Sequence, residues 1–296
     1  MLPYILTLCA NFSFALGSVA YTRYSRAFGD LWMNKFKALI ALVGFGVVLL
    51  VSGEAQLPQN STFCLLILSG MLGLGIGDTF LLKSFMTIGS GRTLVLFGFQ
   101  PIILGALGYF ILGQELGQGK LIGIFFCIAC VLVLSLEGKK TTGIWQVKGI
   151  LFAFIGMLLD ASGLTITRYA FDIDPMLTAT QSNIVRIFGA FIIYFALSFQ
   201  TKRIRFIAGF KSLATKDRIL VTLASTLGTF ISLSLYLKAI QIGNLAAISG
   251  VSITGPVFSS VFECVHYRKL PSKYLISTLG LFALGMFFVL GFYQKI

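Results

Sequence analysis

Two ionised side chains lie in the middle of long apolar stretches of the sequence. Asp160 lies in the stretch 149–169, and Arg186 lies about ten residues into the stretch 176–199. A charged group inside a bilayer is costly, so it usually faces a cavity or a partner of opposite charge. Two interpretations follow. The residues form a structural ion pair, or they form a site where Asp160 binds a substrate amine or a coupling proton and Arg186 binds a carboxylate.

Further polar side chains within apolar stretches extend this set of candidates. Asp78 follows the glycine-rich segment Gly73–Gly77 and is expected to line the mouth of a pathway or to pair with Lys83. The other mid-span amides are Asn11, Gln100, Gln181 and Asn183. These amides either hydrogen-bond between helices or contact a substrate.

Two prolines interrupt apolar stretches at corresponding places, in Gln100-Pro101 and in Gly255-Pro256. A proline inside a helix removes one backbone hydrogen bond, which frees a carbonyl for a ligand or creates a bend. Because the feature occurs twice, we favour a pair of hinges over two ligand sites.

The composition decides the environment in which these residues must work. The chain has 296 residues, of which 57% are hydrophobic and 11% are charged, and its mean hydropathy is +0.92. A soluble domain carries roughly 25% charged residues. The composition therefore excludes an ordinary water-soluble protein and predicts an integral membrane protein.

Ten apolar runs are long enough to cross a bilayer as helices, which need about 20 residues each. They lie roughly at 2–22, 32–52, 62–82, 93–113, 118–136, 149–169, 176–199, 218–237, 244–265 and 273–293. The runs lack the alternation of membrane strands, so we predict an all-α fold of ten transmembrane helices.

The net charge of +13 comes from cations in the connections between these runs. The odd-numbered connections, counted by the run that they follow and taken with the adjoining ends of the runs, hold 18 of the 23 Lys and Arg residues, with Lys35 and Lys37 counted at the first connection. The positive-inside rule then predicts that the odd connections are cytoplasmic and that both termini lie outside. Loop cations that contact anionic lipid explain the charge, and no nucleic-acid partner is expected.

The sequence also shows signs of an internal duplication, with one half over 1–138 and the other over 139–296. The matching segments are Thr22-Arg-Tyr24 with Thr167-Arg-Tyr169, Lys83 with Lys238, and Pro101 with Pro256. Five helices in each half would place the second half upside down in the bilayer. Inverted repeats of this kind are typical of secondary transporters, in which the substrate binds between the halves.

The chain resembles the drug/metabolite transporter superfamily, in its ten-helix EamA-type branch. The resemblance is carried by Gly77–Gly89, by Pro101 and by Gly113-Gln-Glu115 in the first half, and by Tyr236–Ile240 and Pro256 in the second. It implies a fold of ten helices and a transport function. Members move amino acids, other metabolites, drugs or sugar nucleotides.

The resemblance also bears on individual residues. Arg186 is similar to an arginine that is often present in the second helix of a half. Phe97 and Tyr236 lie on helices that line the pathway in the family, where aromatic side chains suit a mostly apolar pocket.

We predict a gradient-driven transporter of a small amphiphilic metabolite, such as an amino acid or amine, in a bacterial cytoplasmic membrane. Its expected partners are this substrate, membrane lipids and a coupling proton or solute gradient. The sequence has no P-loop pattern and no HExxH or GxSxG motif, so we predict no cofactor, no metal and no enzymatic activity. An intramembrane enzyme that acts on lipid-linked groups and a channel remain the alternatives.

Overall fold

The fold is a bundle of helices, seen in a computed structural model of the chain. The structure describes residues 1–53, 58–100, 102–103, 118–142, 146–200, 206–243, 248, 251, 254–268 and 270–289. Within these ranges the regular elements are α1 (Leu2–Phe28), α2 (Asp30–Ser52), α3 (Asn60–Ile88), α4 (Ser90–Phe97), α5 (Gln118–Thr142), α6 (Val147–Ile173), α7 (Ala179–Gln200), α8 (Phe206–Ser212), α9 (Thr215–Ile242), α10 (Thr254–Tyr267) and α11 (Lys273–Val289).

Six of the described helices, α1, α2, α3, α6, α7 and α9, are long and apolar enough to cross a membrane. Helices α5 and α11 contain shorter apolar segments. The runs predicted at 93–113 and 244–265 lie partly outside the described residues. The all-helical class is therefore confirmed, and the count of ten spans stays a prediction.

The run predicted at 93–113 is not one uninterrupted helix. Helix α4 ends at Phe97, and a turn follows over Gly98 and Phe99. The ring of a proline clashes with the carbonyl four residues earlier, which for Pro101 is that of Phe97. Pro101 itself lies outside the described residues, but its position accounts for the end of the helix.

Two of the long helices contain a π-helical segment. In α3 it covers Gly70–Gly77, and in α9 it covers Thr226–Ile231. The starts of these segments are 156 residues apart, against 155 for the pair Lys83 and Lys238. The same irregularity therefore occurs at nearly the same place in each predicted half. π-helical segments often mark functional sites.

The helices of the two predicted halves pack against each other in a reciprocal arrangement. Helix α1 packs on α9 and α10, whereas α6 packs on α3 and α4. Helix α2 contacts α7, and α5 contacts α11. The first helix of each half therefore packs on the third and fourth helices of the other half.

Glycines bring the backbones together where these helices cross. A Cβ on Gly17 of α1 would lie 2.8 Å from Cα of Gly228 in α9. A Cβ on Gly163 of α6 would lie 3.1 Å from Cα of Gly73 in α3. Gly73 and Gly228 are 155 residues apart, so the two crossings are equivalent in the predicted repeat. A side chain at either crossing would force the helices apart.

The odd connections meet at one end of the bundle, which we call the odd end. There Arg26 Nε donates to the carbonyl of Met86 (3.0 Å), and Trp32 Nε1 donates to the carbonyl of Phe206 (3.1 Å). At the opposite end, the even end, Arg168 Nη1 donates to the carbonyl of Ile240 (2.7 Å). Which end faces the cytoplasm stays a prediction from the cation count.

Candidate functional site

A cavity of about 160 Å³ lies between the predicted halves, and residues of α1, α2, α3, α4, α6, α7, α9 and α10 line it. Eight of the eleven candidate residues line this cavity: Asn11, Asp78, Phe97, Gln100, Asp160, Arg186, Tyr236 and Pro256. Asn183 is buried outside the lining, and Pro101 lies outside the described residues. The structure therefore brings together side chains that are up to 245 residues apart in the sequence, from Asn11 to Pro256.

Asp160 and Arg186 face the cavity around Gly73 but do not form the ion pair that the sequence allowed. A Cβ on Gly73 would lie 3.5 Å from both Asp160 Oδ1 and Arg186 Nη2. Within the described part of the chain no salt bridge joins them. Instead, Gln100 Nε2 donates to Asp160 Oδ2 (2.8 Å). The two charges are thus close to each other but not in direct contact.

Ser69 binds the guanidinium of Arg186 on one side, and one of its other nitrogens has no partner among the described residues. Its Nε donates to Ser69 Oγ (3.0 Å), and Ser69 Oγ donates to the carbonyl of Gly163 (2.7 Å). Arg186 is 1% exposed, and within the described part of the chain its buried Nη1 has no hydrogen-bond partner. A buried charged donor without a partner is costly, so the arrangement suits an anionic ligand.

The approach of α3 to α7 explains why Arg186 reaches this position. A Cβ on Gly70 would collide with the backbone carbonyl of Arg186, and a Cβ on Gly189 would collide with that of Ile67. The two helices therefore touch backbone to backbone at the start of the π-helical segment. Ser69, the residue that orients the guanidinium, was not among the sequence candidates, and its only sequence signal is its place beside this glycine.

Asp78 pairs with Lys37 and not with Lys83. Lys37 Nζ lies 2.6 Å from Asp78 Oδ2, and the side chain of Lys37 is 3% exposed. The nitrogen also lies 5.5 Å from the ring centroid of Tyr21, which favours a cation–π interaction. Lys83 lies 3.9 Å from Asp30 at the odd end. The expectation of an Asp78–Lys83 pair was therefore wrong.

Lys37 is a cavity residue that the sequence reasoning missed. It was counted among the cations of the first connection, whereas the structure places it inside α2 and in the cavity lining. A lysine within an apolar run was the available signal. With Asp78, Asp160 and Arg186 it gives the cavity two positive and two negative side chains.

The three other amide side chains that the sequence singled out make different hydrogen bonds. Asn11 Nδ2 donates to the carbonyl of Val251 (3.2 Å) and to Thr254 Oγ1 (3.3 Å), which joins the two halves beside the cavity. Asn183 Nδ2 donates to the carbonyl of Leu233 (3.2 Å). Gln181 is not a mid-span group, because its Oε1 accepts from the backbone N–H of Thr178 (2.9 Å) in a capping box at the start of α7.

Aromatic rings form much of the remaining wall. Phe14, Phe97 and Tyr236 line the cavity, together with Leu74, Leu81 and Leu164. Pro256 lies against the first half, since a Cβ on Gly98 would come within 3.2 Å of its Cγ. The cavity thus combines an apolar wall with a few charged groups, as small-molecule sites usually do.

Apolar helices that enclose a cavity with balanced charges define a membrane protein with an internal cavity for a small molecule. Comparison with known proteins specifies the class. The EamA-like transporter family matches residues 1–136 and 147–291, and the chain belongs to this family. The resemblance to drug/metabolite transporters is therefore confirmed.

Individual relatives are more distant. The chain is 23% identical over 194 residues to a WAT1-related chloroplastic protein of Arabidopsis thaliana. This match covers 64% of the chain and 46% of that protein, so it spans about half of the relative. A protein known from a crystal structure is 14% identical, with a TM-score of 0.67 over 99% of this chain and 97% of that one. At this identity the likeness concerns the fold alone.

Proposed function

We propose that the protein is a secondary transporter that works by alternating access between two inverted repeats, 1–138 and 139–296. The reciprocal packing of α1 and α6, the paired glycine crossings and the paired π-helical segments support this proposal. A cavity bounded by both halves can be opened to either side when the halves tilt about it. The family membership supports the same function.

The observation that carries the substrate proposal is the Nη1 atom of Arg186, for which the described residues provide no hydrogen-bond partner. A carboxylate is the ligand group that a guanidinium binds best, because two parallel hydrogen bonds form. Asp160 lies across Gly73 and would hold an ammonium group. The four charged side chains of the cavity sum to zero, so a zwitterion adds no net charge to the site.

The proposed substrate is therefore a small amphiphilic zwitterion, such as an amino acid, with its apolar part against Phe97 and Tyr236. The cavity volume of about 160 Å³ fits a small ligand. A proton or solute gradient drives the cycle in this proposal, with export as its direction. In this proposal Asp160 binds either a coupling proton or the ammonium of the substrate, and each replaces the other during the cycle.

The test is transport into liposomes that contain the purified protein. Amino acids that raise its melting temperature are selected first, because a ligand of the folded form stabilises it. Uptake of these compounds should saturate, and internal unlabelled substrate should accelerate it by counterflow. The variant Asp160→Asn should lose this uptake, while the control Asp172→Asn on the same helix, whose side chain is 54% exposed, should retain it.

Other results would contradict the proposal. Conductance without saturation or counterflow indicates a channel. Product formation by the protein in detergent indicates an enzyme. Wild-type uptake by Asp160→Asn at equal protein level would remove Asp160 from the substrate site.

A further inference from the structure

A carboxylate of the second half is seated on the first helix turn of α4 in the first half. Glu263 lies near the end of α10, and its Oε2 accepts from the backbone N–H of Gly91 (2.6 Å) and from Ser90 Oγ (3.4 Å). The N–H groups of a first helix turn have no partner within the helix, and the helix dipole favours a negative charge there. Glu263, in the second half, thus provides a hydrogen-bond acceptor for an N–H group of α4, in the first half. We call this contact the Glu263 clamp.

The backbone at the start of α4 leaves space for this carboxylate because Gly89 and Gly91 have no side chains. Gly89 has φ +87°, a left-handed conformation that favours glycine. A Cβ on Gly89 would lie 2.5 Å from Glu263 Oε1, and one on Gly91 would lie 2.9 Å from Oε2. The segment Gly89-Ser90-Gly91 is therefore shaped around the Glu263 side chain.

The clamp is one of several polar contacts that join the two halves at the odd end. Tyr24 Oη donates to Asp217 Oδ1 (2.8 Å), which joins α1 to α9. Ser272 Oγ donates to Glu137 Oε1 (2.5 Å), which joins the end of α5 to the start of α11. These contacts hold the halves together on this side of the cavity.

The clamp differs from the deeper contacts between the halves because water can take the place of its hydrogen bonds when it opens. Glu263 is half-buried at the end of a helix, so water can solvate both its carboxylate and the amide of Gly91 when they separate. The crossing of Gly163 on Gly73 lies beside the cavity and is backbone to backbone. This crossing can act as a pivot, but its two helices cannot separate without leaving an empty space between them.

Helix α4 also connects the clamp to the cavity. Leu94 lies one turn after Gly91 and lines the cavity, as does Phe97. Gln100, directly after the end of α4, donates to Asp160. A displacement of the start of α4 would therefore move Gln100, which holds Asp160, the proposed partner of the substrate ammonium.

We propose that the Glu263 clamp is the releasable contact of a gate at the odd end, and that it breaks each time the cavity opens to that side. This inference rests on the proposed alternating access. Glu263 is a positioning residue in this scheme: it acts through α4 and does not contact the substrate.

The test measures access to the cavity without any substrate. In a variant without the five native cysteines, Leu94→Cys reports on the cavity and Lys211→Cys identifies the odd side. A membrane-impermeant thiol reagent is applied to sealed vesicles of both orientations. Loss of a charge-assisted hydrogen bond should raise the labelling rate of Leu94→Cys from the odd side about tenfold in Glu263→Ala.

The controls separate a gate from a general loss of structure. Glu263→Gln retains the size of the side chain and one acceptor, so its labelling rate should lie between those of wild type and Glu263→Ala. Asp172→Asn, a carboxylate change at the even end, should label as wild type does. A purely structural role would raise labelling from both sides equally and lower the melting temperature.

The outcomes are decisive in either direction. Equal labelling of Glu263→Ala, Glu263→Gln and wild type would overturn the gate. If Glu263→Ala does not fold, Glu263→Gln alone decides by the same comparison. A protein that shows the labelling change but no saturable uptake would contradict the transporter and keep the clamp as a conformational contact.

Discussion

The two glycine crossings have nearly the same backbone geometry but different chemistry. Where α1 crosses α9, Tyr21 Oη donates to the carbonyl of Ala224 (3.0 Å) and hydrogen-bonds Thr229 Oγ1 (2.6 Å). Where α6 crosses α3, Ser69 holds Arg186, and Asp160 lies beside them. Hydroxyl and carbonyl groups make the hydrogen bonds of Tyr21 at the first crossing, whereas the charged side chains of Arg186 and Asp160 lie at the second.

The difference between the crossings distinguishes the residues that helix packing requires from those that the proposed ligand requires. Close approach of two helices needs only glycine on each, and both crossings have it. A buried guanidinium with an unpartnered nitrogen adds nothing to helix packing and costs free energy. We therefore assign the repeated features to the framework and propose that the unrepeated charges mark the binding site.

The largest effect on stability is expected from Lys37 and Asp78, the charge pair that is in direct contact among the described residues of the cavity. Lys37→Met leaves the carboxylate of Asp78 without its partner, which should lower the free energy of unfolding by about 3–5 kcal/mol. The double variant Lys37→Met/Asp78→Asn should recover much of this loss, because no unpaired charge remains. Thermal unfolding in detergent measures both. Additive losses in the double variant would show that the pair is not coupled.

Arg186 should matter more for transport than for folding, in contrast to Lys37. Arg186→Gln removes the charge that would bind a carboxylate, which should lower uptake at low substrate concentration about 30-fold or more. Arg186→Lys keeps the charge but not the planar donors and should fall between. Counterflow in liposomes measures these ratios. The control Arg168→Gln changes a cation at the even end, outside the cavity, and should transport as wild type does.

Adding a methyl group at the glycine crossings tests whether they are equivalent. Gly17→Ala and Gly163→Ala should each lower the free energy of unfolding by about 1–3 kcal/mol, because the new Cβ lies within 3 Å of a carbonyl on the facing helix. Gly46→Ala is a suitable control, since its Cβ would meet nothing within 4 Å. A destabilisation at only one crossing would contradict a framework shared by both halves.

The sequence predicted the class of fold and eight of the residues that line the cavity, among them three of its four charged side chains, but not how they pair. Apolar runs reveal which segments are helices, and a charge such as Asp160 or Arg186 stands out against them. The rotation of each helix is harder to predict. The π-helical segment Gly70–Gly77 lies between Ser69 and Asp78 and changes their relative direction, since one extra residue in a turn rotates the following side chains by about 100°. Regular helical spacing therefore predicted neither the bond of Ser69 to Arg186 nor that of Lys37 to Asp78.

The smallest effect is expected at the surface of the odd end, where Asp217 bonds two residues of α1. Arg23 Nη2 lies 2.9 Å from Asp217 Oδ1, but its side chain is 47% exposed, so this ion pair should contribute at most about 1 kcal/mol to stability. Tyr24 Oη donates to the same oxygen and is more buried. We therefore expect Arg23→Gln to leave the melting temperature nearly unchanged and Tyr24→Phe to lower it more.

The melting temperatures of the two variants in low and high salt distinguish a surface charge from the buried charges of the cavity, because salt should weaken only the contribution of Arg23. A large, salt-independent loss in Arg23→Gln would place this contact among the structural ones.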